Sequence, residues 1–299
     1  MNPRAVFRPA VPVLLALVLG CQLSGETEGP PTQRDESEEP SSGRDDFSSP
    51  AGDGATGGDT YFDYPEPAET YVQTPFFDDF DGSAVDTSKW QVATWVEHGG
   101  QTGAERCYVE DGNLKMIFVN DSSQGYLSSA IQTRDEYYFG RWETRLKPSN
   151  VPGVLNSMFT IDWENTVAPG TGDGTKQEID IEFLTYAFTG TDGKVHFALH
   201  AAGHPSTDTN PDIELGFDPS ADFHIWGFDI SPEKIDWFVD DQVLMTIHYS
   251  ENAISIDAPY QLKFNFWSQT KWINGPPAPD VECVYLIDWV RFTPYTNGN

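Results

Sequence analysis

Lys176-Gln-Glu-Ile-Asp-Ile-Glu-Phe-Leu184 is the stretch on which the fold turns. Ile179, Ile181 and Phe183 alternate with Glu178, Asp180 and Glu182, and a period of two belongs to a strand with one apolar and one polar face. The same period recurs on either side of it. Val195, Phe197 and Leu199 alternate with His196, Ala198 and His200, while Leu262, Phe264 and Phe266 alternate with Lys263, Asn265 and Trp267. Leu155, Ser157, Phe159 and Ile161 alternate with Asn156, Met158, Thr160 and Asp162. Turn signals separate these runs, among them Pro148-Ser-Asn, Thr191-Asp-Gly and Asp218-Pro-Ser, and no long amphipathic helix interrupts them. The pattern predicts an all-β sandwich of antiparallel sheets.

The polar faces are unusual for surfaces that merely meet water. They bear a carboxylate row, two histidines, an asparagine and a tryptophan, with little lysine or glutamate decoration. On neighbouring strands they would line a groove with aromatic platforms and fixed hydrogen-bonding groups, which is what a sugar polymer needs. An exposed sheet face without a ligand is the plainer alternative.

The acid row is weak evidence by spacing alone. With 47 acidic residues in 299, three at i, i+2 and i+4 arise by chance about once. Context strengthens it, because the apolar partners make this a strand interior and force the acids together. Three like charges on one face are costly unless they share protons, and a shared proton is what a general acid at neutral pH requires. Hydrolysis of a glycosidic bond uses such a pair, one carboxyl protonating the leaving oxygen and the other attacking or activating water. Four residues of strand put the Cα atoms of Glu178 and Glu182 about 13 Å apart. Long side chains could close that distance, so spacing leaves retention and inversion both open. Calcium binding by the same row is a rival reading.

Outward from the strands, composition divides the chain. Residues 71–299 hold all nine tryptophans and carry 13 basic against 34 acidic residues. That balance argues against nucleic acid or anionic polymers as ligands and favours a neutral substrate; the domain is expected to be a monomer. Residues 21–70 are rich in Gly, Pro, Ser and Thr, with thirteen acids against Arg34 and Arg44, the composition of a disordered acidic tether. Residues 1–20 combine Arg4 and Arg8 with the apolar run Val11–Leu19, a secretory signal too short to span a bilayer. Ending on Gly20-Cys21, it resembles a bacterial lipoprotein signal, which implies acylation of Cys21, membrane attachment through that lipid alone, and a domain outside the cytoplasm. Cys107 and Cys283 then form an even pair in an exported domain, and a disulfide between them is expected.

The motifs resemble glycoside hydrolase family 16. The likeness covers about residues 75–295 and rests on the acid strand together with Phe77-Asp-Asp-Phe-Asp-Gly82, Ser88-Lys-Trp90, Phe139-Gly-Arg-Trp-Glu-Thr-Arg-Leu-Lys147, Phe223-His-Ile-Trp-Gly-Phe-Asp229, Trp237-Phe-Val-Asp240 and Ile287-Asp-Trp-Val-Arg-Phe292. It implies a concanavalin-like β-jelly roll with a concave substrate cleft. It also implies a retaining endo-β-glucanase with Glu178 as nucleophile, Glu182 as acid/base and Asp180 assisting. No cofactor is needed for catalysis; one structural calcium is implied, at Asp288 and the backbone of Gly112. Gly153-Val-Leu-Asn-Ser-Met-Phe-Thr160 and Asn265-Phe-Trp267 with Trp272 resemble the bacterial lichenases, which cut β-1,3-1,4-glucan. Val195-His-Phe-Ala-Leu-His200 is closer to laminarinases, and Ala130 and Gln132 fall where lichenases carry a Glu and an Arg that hold glucose.

The expected sugar contacts are therefore His200, Asn265, Trp267, Trp272, Asn156 and Trp163, with His196 evenly balanced between cleft and structure. Trp226, Trp237 and Trp289 read as packing. Transglycosylation, galactan cleavage and a non-catalytic carbohydrate-binding domain are the competing functions on the same fold.

Overall fold

The computed structural model describes residues 74–97, 100–162, 177–201, 211–252, 254, 256, 258–268 and 272–296. The signal at residues 1–20, Cys21, the tether to residue 70 and Trp163 lie outside them. Among the described residues no helix is long and apolar enough to cross a membrane.

Two sheets make a jelly-roll sandwich, as the alternation predicts. The first runs in the order β12 (Asp212–Glu214), β11 (Lys194–His200), β10 (Glu178–Leu184), β9 (Leu155–Ile161), β16 (Gln261–Trp267), β7 (Gly125–Thr133) and β2 (Trp90–Val92), every neighbour antiparallel. The second runs β15 (Gln242–His248), β14 (Lys234–Val239), β13 (His224–Ile230), β8 (Gly140–Lys147), β17 (Val281–Pro294), β6 (Asn113–Asp121) and β5 (Cys107–Glu110). β1 (Phe76–Asp78) lies against the far end of β17. A short pair, β3 (Val96–Glu97) and β4 (Gly100–Thr102), borders β7, to which β4 is parallel. β6 also pairs with β7 through Val119–Asp121, so one hairpin joins the two sheets.

The core fills the space between the sheets. Ile179, Ile181 and Phe183 of β10 point into it beside Val195, Phe197 and Leu199 of β11 and Leu262, Phe264 and Phe266 of β16. From the opposite sheet Trp226 meets Phe183 edge-on at 4.8 Å, and Trp237 stacks with Phe197 at 6.0 Å. This apolar face fixes the register of β10, because a slip of one residue would drive three carboxylates into the core. Asp111-Gly112 closes the β5–β6 hairpin with φ of 56° and 69°, the two left-handed residues of a type I′ turn.

Two expectations are corrected here. Cys107 and Cys283 are both free thiols. Cys107 pairs with Met116 and Cys283 with Phe118, so β6 lies between their strands and holds the Cα atoms more than about 9 Å apart. A disulfide needs less than about 7 Å. Burial pushes the Cys107 thiol up to about 12 and the Cys283 thiol up to about 11.

The second correction concerns β9. Ser157 pairs with Glu182 and Phe159 with Asp180, so these residues share the carboxylate face, while Asn156 pairs with the core residues Phe183 and Phe266. Asn156 is fully buried, and its carbonyl oxygen accepts a 2.9 Å bond from the Ser149 backbone N–H. It ties down the segment before β9 and does not line the cleft. The sequence misled because Ser157, a small polar residue, stands among the apolar ones in the alternation.

Candidate active site

On the polar face of the first sheet, register alone sets the neighbours of each acid. Glu178 is opposite His200, Asp180 opposite Ala198 and Glu182 opposite His196. On the other flank stand Ile161, Phe159 and Ser157, with Gln261, Lys263 and Asn265 of β16 beyond them. Gln132 and Ala130 of β7 complete the rows.

Two of the acids and one histidine are gathered into a cluster. Ligand atoms of Glu178, Asp180 and His200 all lie within 4.8 Å of one another, and His200 Nε2 is 3.5 Å from Asp180 Oδ2. Asp180 is buried, while Glu178 and Glu182 are half-buried and retain access from the cleft. The central acid is thus part of the floor and the outer two flank it. Trp237, across the core, donates from its indole N–H to the Asp180 backbone carbonyl at 3.0 Å, anchoring the acid-bearing strand from behind.

The remaining sugar-contact candidates divide. Asn265 is on the polar face and buried, its Oδ1 accepting from the Ser157 hydroxyl. Trp267 is on the same face but only 7% exposed, packed with Leu155, Leu184 and Ile273. Trp272 is the most open of these aromatics, 37% exposed, its ring centroid 5.5 Å from that of His196 in a T-shaped contact. Gln132 donates to Gln261 at 3.1 Å and to Gln91 at 3.4 Å, linking three strands through one amide row.

Two residues were missed. Lys263 is 1% exposed and sets its ammonium 5.6 Å from the Phe159 ring and 5.8 Å from that of Trp95, so a cation underlies the cleft. Its position between Leu262 and Phe264 was the available signal. Asp212 binds His196 Nδ1 at 2.8 Å from the short edge strand β12, and nothing in a three-residue strand foretells that pairing. Nearby, burial first and the Asp212 carboxylate second raise the Tyr186 phenol above its ordinary range.

The calcium implied at Gly112 and Asp288 does not fit what surrounds Asp288. Its carboxylate accepts from the Arg145 guanidinium at 2.5 Å, and a divalent cation there would meet a fixed positive charge.

A sheet face that spans several strands and presents paired carboxyls to solvent suits a polymer better than an enclosed small molecule, and on this sandwich it defines a glycoside hydrolase. Residues 97–291 match the glycosyl hydrolases family 16, and the chain belongs to that family. A β-glucanase of Bacillus subtilis (strain 168) is 30% identical over 231 residues, covering 73% of this chain and 86% of that protein. The crystal structure of a prokaryotic β-1,3-1,4-glucanase (lichenase) derived from a mouse hindgut metagenome is 28% identical, with a TM-score of 0.59 over 74% of this chain and all of that one. The catalytic domain of an endo-1,3-β-glucanase (laminarinase) from Thermotoga petrophila shares the fold at 22% identity, with a TM-score of 0.61 over 75% of this chain and 97% of that one.

Proposed function

We propose that this enzyme cleaves internal bonds of neutral, β-1,3-containing glucans with retention, mixed-linkage β-1,3-1,4-glucan ahead of laminarin. The observation that carries the reading is the row Glu178, Asp180, Glu182 laid along one open face, with Glu178, Asp180 and His200 gathered within 4.8 Å. The lichenase and β-glucanase names of the relatives support the substrate class. The excess of acids over bases in residues 71–299 disfavours a polyanionic guest.

In this reading Glu178 attacks the anomeric carbon as Glu182 donates its proton to the departing oxygen. Glu182 then takes a proton from water, and the hydroxide displaces Glu178. Asp180 and His200 hold Glu178 in a fixed electrostatic setting. Asn265 and Trp272 contact the sugar chain, and Trp267 shapes the end of the cleft. No cofactor takes part. Residues 71–299 form the catalytic unit and act as a monomer. Residues 1–20 direct export, Cys21 carries the lipid, and residues 21–70 hold the enzyme away from the envelope.

A reducing-sugar assay on lichenan, barley glucan, laminarin, xyloglucan, agarose and carrageenan, with product linkages identified, tests this. Oligosaccharides from lichenan and barley glucan, with slower release from laminarin, are expected. Activity confined to a sulfated galactan would overturn the substrate assignment.

A further inference from the structure

One transverse row of the first sheet runs Asn265, Ser157, Glu182, His196, Asp212, each directly across from the next on β16, β9, β10, β11 and β12. The printed bonds of this row lie on either side of Glu182. The Ser157 hydroxyl donates to Asn265 Oδ1, on the β16 side. His196 Nδ1 lies 2.8 Å from Asp212 Oδ1, on the β12 side. The two nitrogens of an imidazole point in nearly opposite directions. With Nδ1 held from β12, the Nε2 edge is turned toward β10, where Glu182 stands. His196 is 7% exposed, and the indole of Trp272 packs against its ring in a T-shaped contact, which shields the imidazole from water. Glu178 is placed differently: the histidine across from it, His200, has its Nε2 3.5 Å from Asp180 Oδ2, and β12 accompanies β11 only from Lys194 to His196.

We propose that Asp212 and His196 keep Glu182 protonated for its task as general acid. This rests on Glu182 being the acid of the reaction. Asp212 accepts from the Nδ1–H and so fixes the neutral tautomer whose Nε2 carries a lone pair, and that lone pair accepts the carboxyl hydrogen of Glu182. A hydrogen bond to the protonated form favours it over the carboxylate. Both are positioning residues, because the proton stays on Glu182 until the departing oxygen takes it. The other charged groups nearby do not replace this pair. Asp180 and Glu178, on the same face of β10, are neighbours of His200. Lys194 of β11 is engaged by Glu214 of β12 at 2.6 Å. Lys263 of β16 stands in the row of Asp180. The Tyr186 phenol, raised by burial and then by Asp212, is uncharged at neutral pH.

The test is the pH dependence of kcat/KM on the full chain with two substrates. Lichenan needs the acid, whereas a dinitrophenyl glycoside of a β-glucan disaccharide has a leaving group that needs none. In His196→Phe, which keeps a ring against Trp272, and in Asp212→Asn, the alkaline limb for lichenan moves about one pH unit toward acid. That is the worth of one hydrogen bond to the neutral carboxyl. The alkaline limb for the aryl glycoside does not move. Glu214→Gln, which removes the β12 charge opposite Lys194, leaves the lichenan limb in place. Asp212 is 41% exposed at its side chain, so the contrast of Asp212→Asn with Glu214→Gln carries the test if His196→Phe does not fold. A limb that stays put, or that moves toward alkali as the loss of an imidazolium would make it, overturns the proposal. So does a shift in Asp212→Asn with none in a folded His196→Phe, which would be the field of one carboxylate. Glu182→Ala that released no dinitrophenol in a single turnover would instead show that Glu182 is not the acid, and the assignment of roles would fall first.

Discussion

The indole nitrogen of Trp237 donates a 3.0 Å hydrogen bond to the backbone carbonyl of Asp180, so the middle acid of the carboxylate row is held from the opposite sheet. Trp237 is fully buried and also stacks on Phe197 of β11. One side chain therefore fixes the height of the strand that carries all three carboxylates and packs on its neighbour. Trp237→Phe removes the donor and part of the volume. A destabilisation of about 1–3 kcal/mol is expected, read as a lower urea midpoint. An accompanying fall in kcat is expected because the acids lose a fixed support. An unchanged midpoint would show that the bond contributes nothing.

The two glutamates should respond differently to azide. Glu178→Ala abolishes turnover, and azide entering the space attacks an activated glucoside once, giving the inverted α-glycosyl azide. In Glu182→Ala the intermediate still forms from an activated substrate but hydrolyses slowly, and azide intercepts it to give the β-glycosyl azide. Product anomers by NMR decide the matter. The same anomer from both variants would show the roles or the mechanism to be wrong.

Asn156 should matter for stability and not for substrate binding. Asn156→Ala leaves the Ser149 N–H without its acceptor, which costs about 1–3 kcal/mol for a buried donor. The melting temperature falls while KM for lichenan stays constant. A raised KM with normal melting would return Asn156 to the cleft.

Thiol titration checks the cysteines. Native protein at pH 8 should react slowly or not at all at Cys107 and Cys283, and both should titrate after unfolding. Because burial raises both groups in the folded state, their contribution to stability is complete below the ordinary thiol range. It is lost as pH climbs from about 8.5 toward the folded values of about 12 and 11. A disulfide-linked peptide pair in a non-reducing digest would contradict the strand order.

Cys21→Ser should release the enzyme from membranes, and a chain beginning at Tyr71 should melt cooperatively with full activity on soluble glucan. Intact-mass analysis showing cleavage elsewhere, with no acyl group, would remove the anchor.

Much of this protein is written in a period of two. The alternation in β10, β11 and β16 determined the sandwich, the apolar face of each strand and the carboxylate row, because a pleated backbone sends successive side chains to opposite faces whatever surrounds it. Motifs such as Phe139–Lys147 and Ile287–Phe292 determined the family for the same local reason: each is a short strand whose residue order survives without knowledge of its neighbours. What the alternation could not supply was adjacency. Only the tertiary structure placed β6 between Cys107 and Cys283, paired Ser157 in place of Asn156 with Glu182, set Arg145 against Asp288, and brought Asp212 from an edge strand to His196. Strand order and register in an antiparallel sheet are decided by contacts between residues far apart in the chain, through the packing of whole faces, and no local pattern encodes which strand will lie beside which.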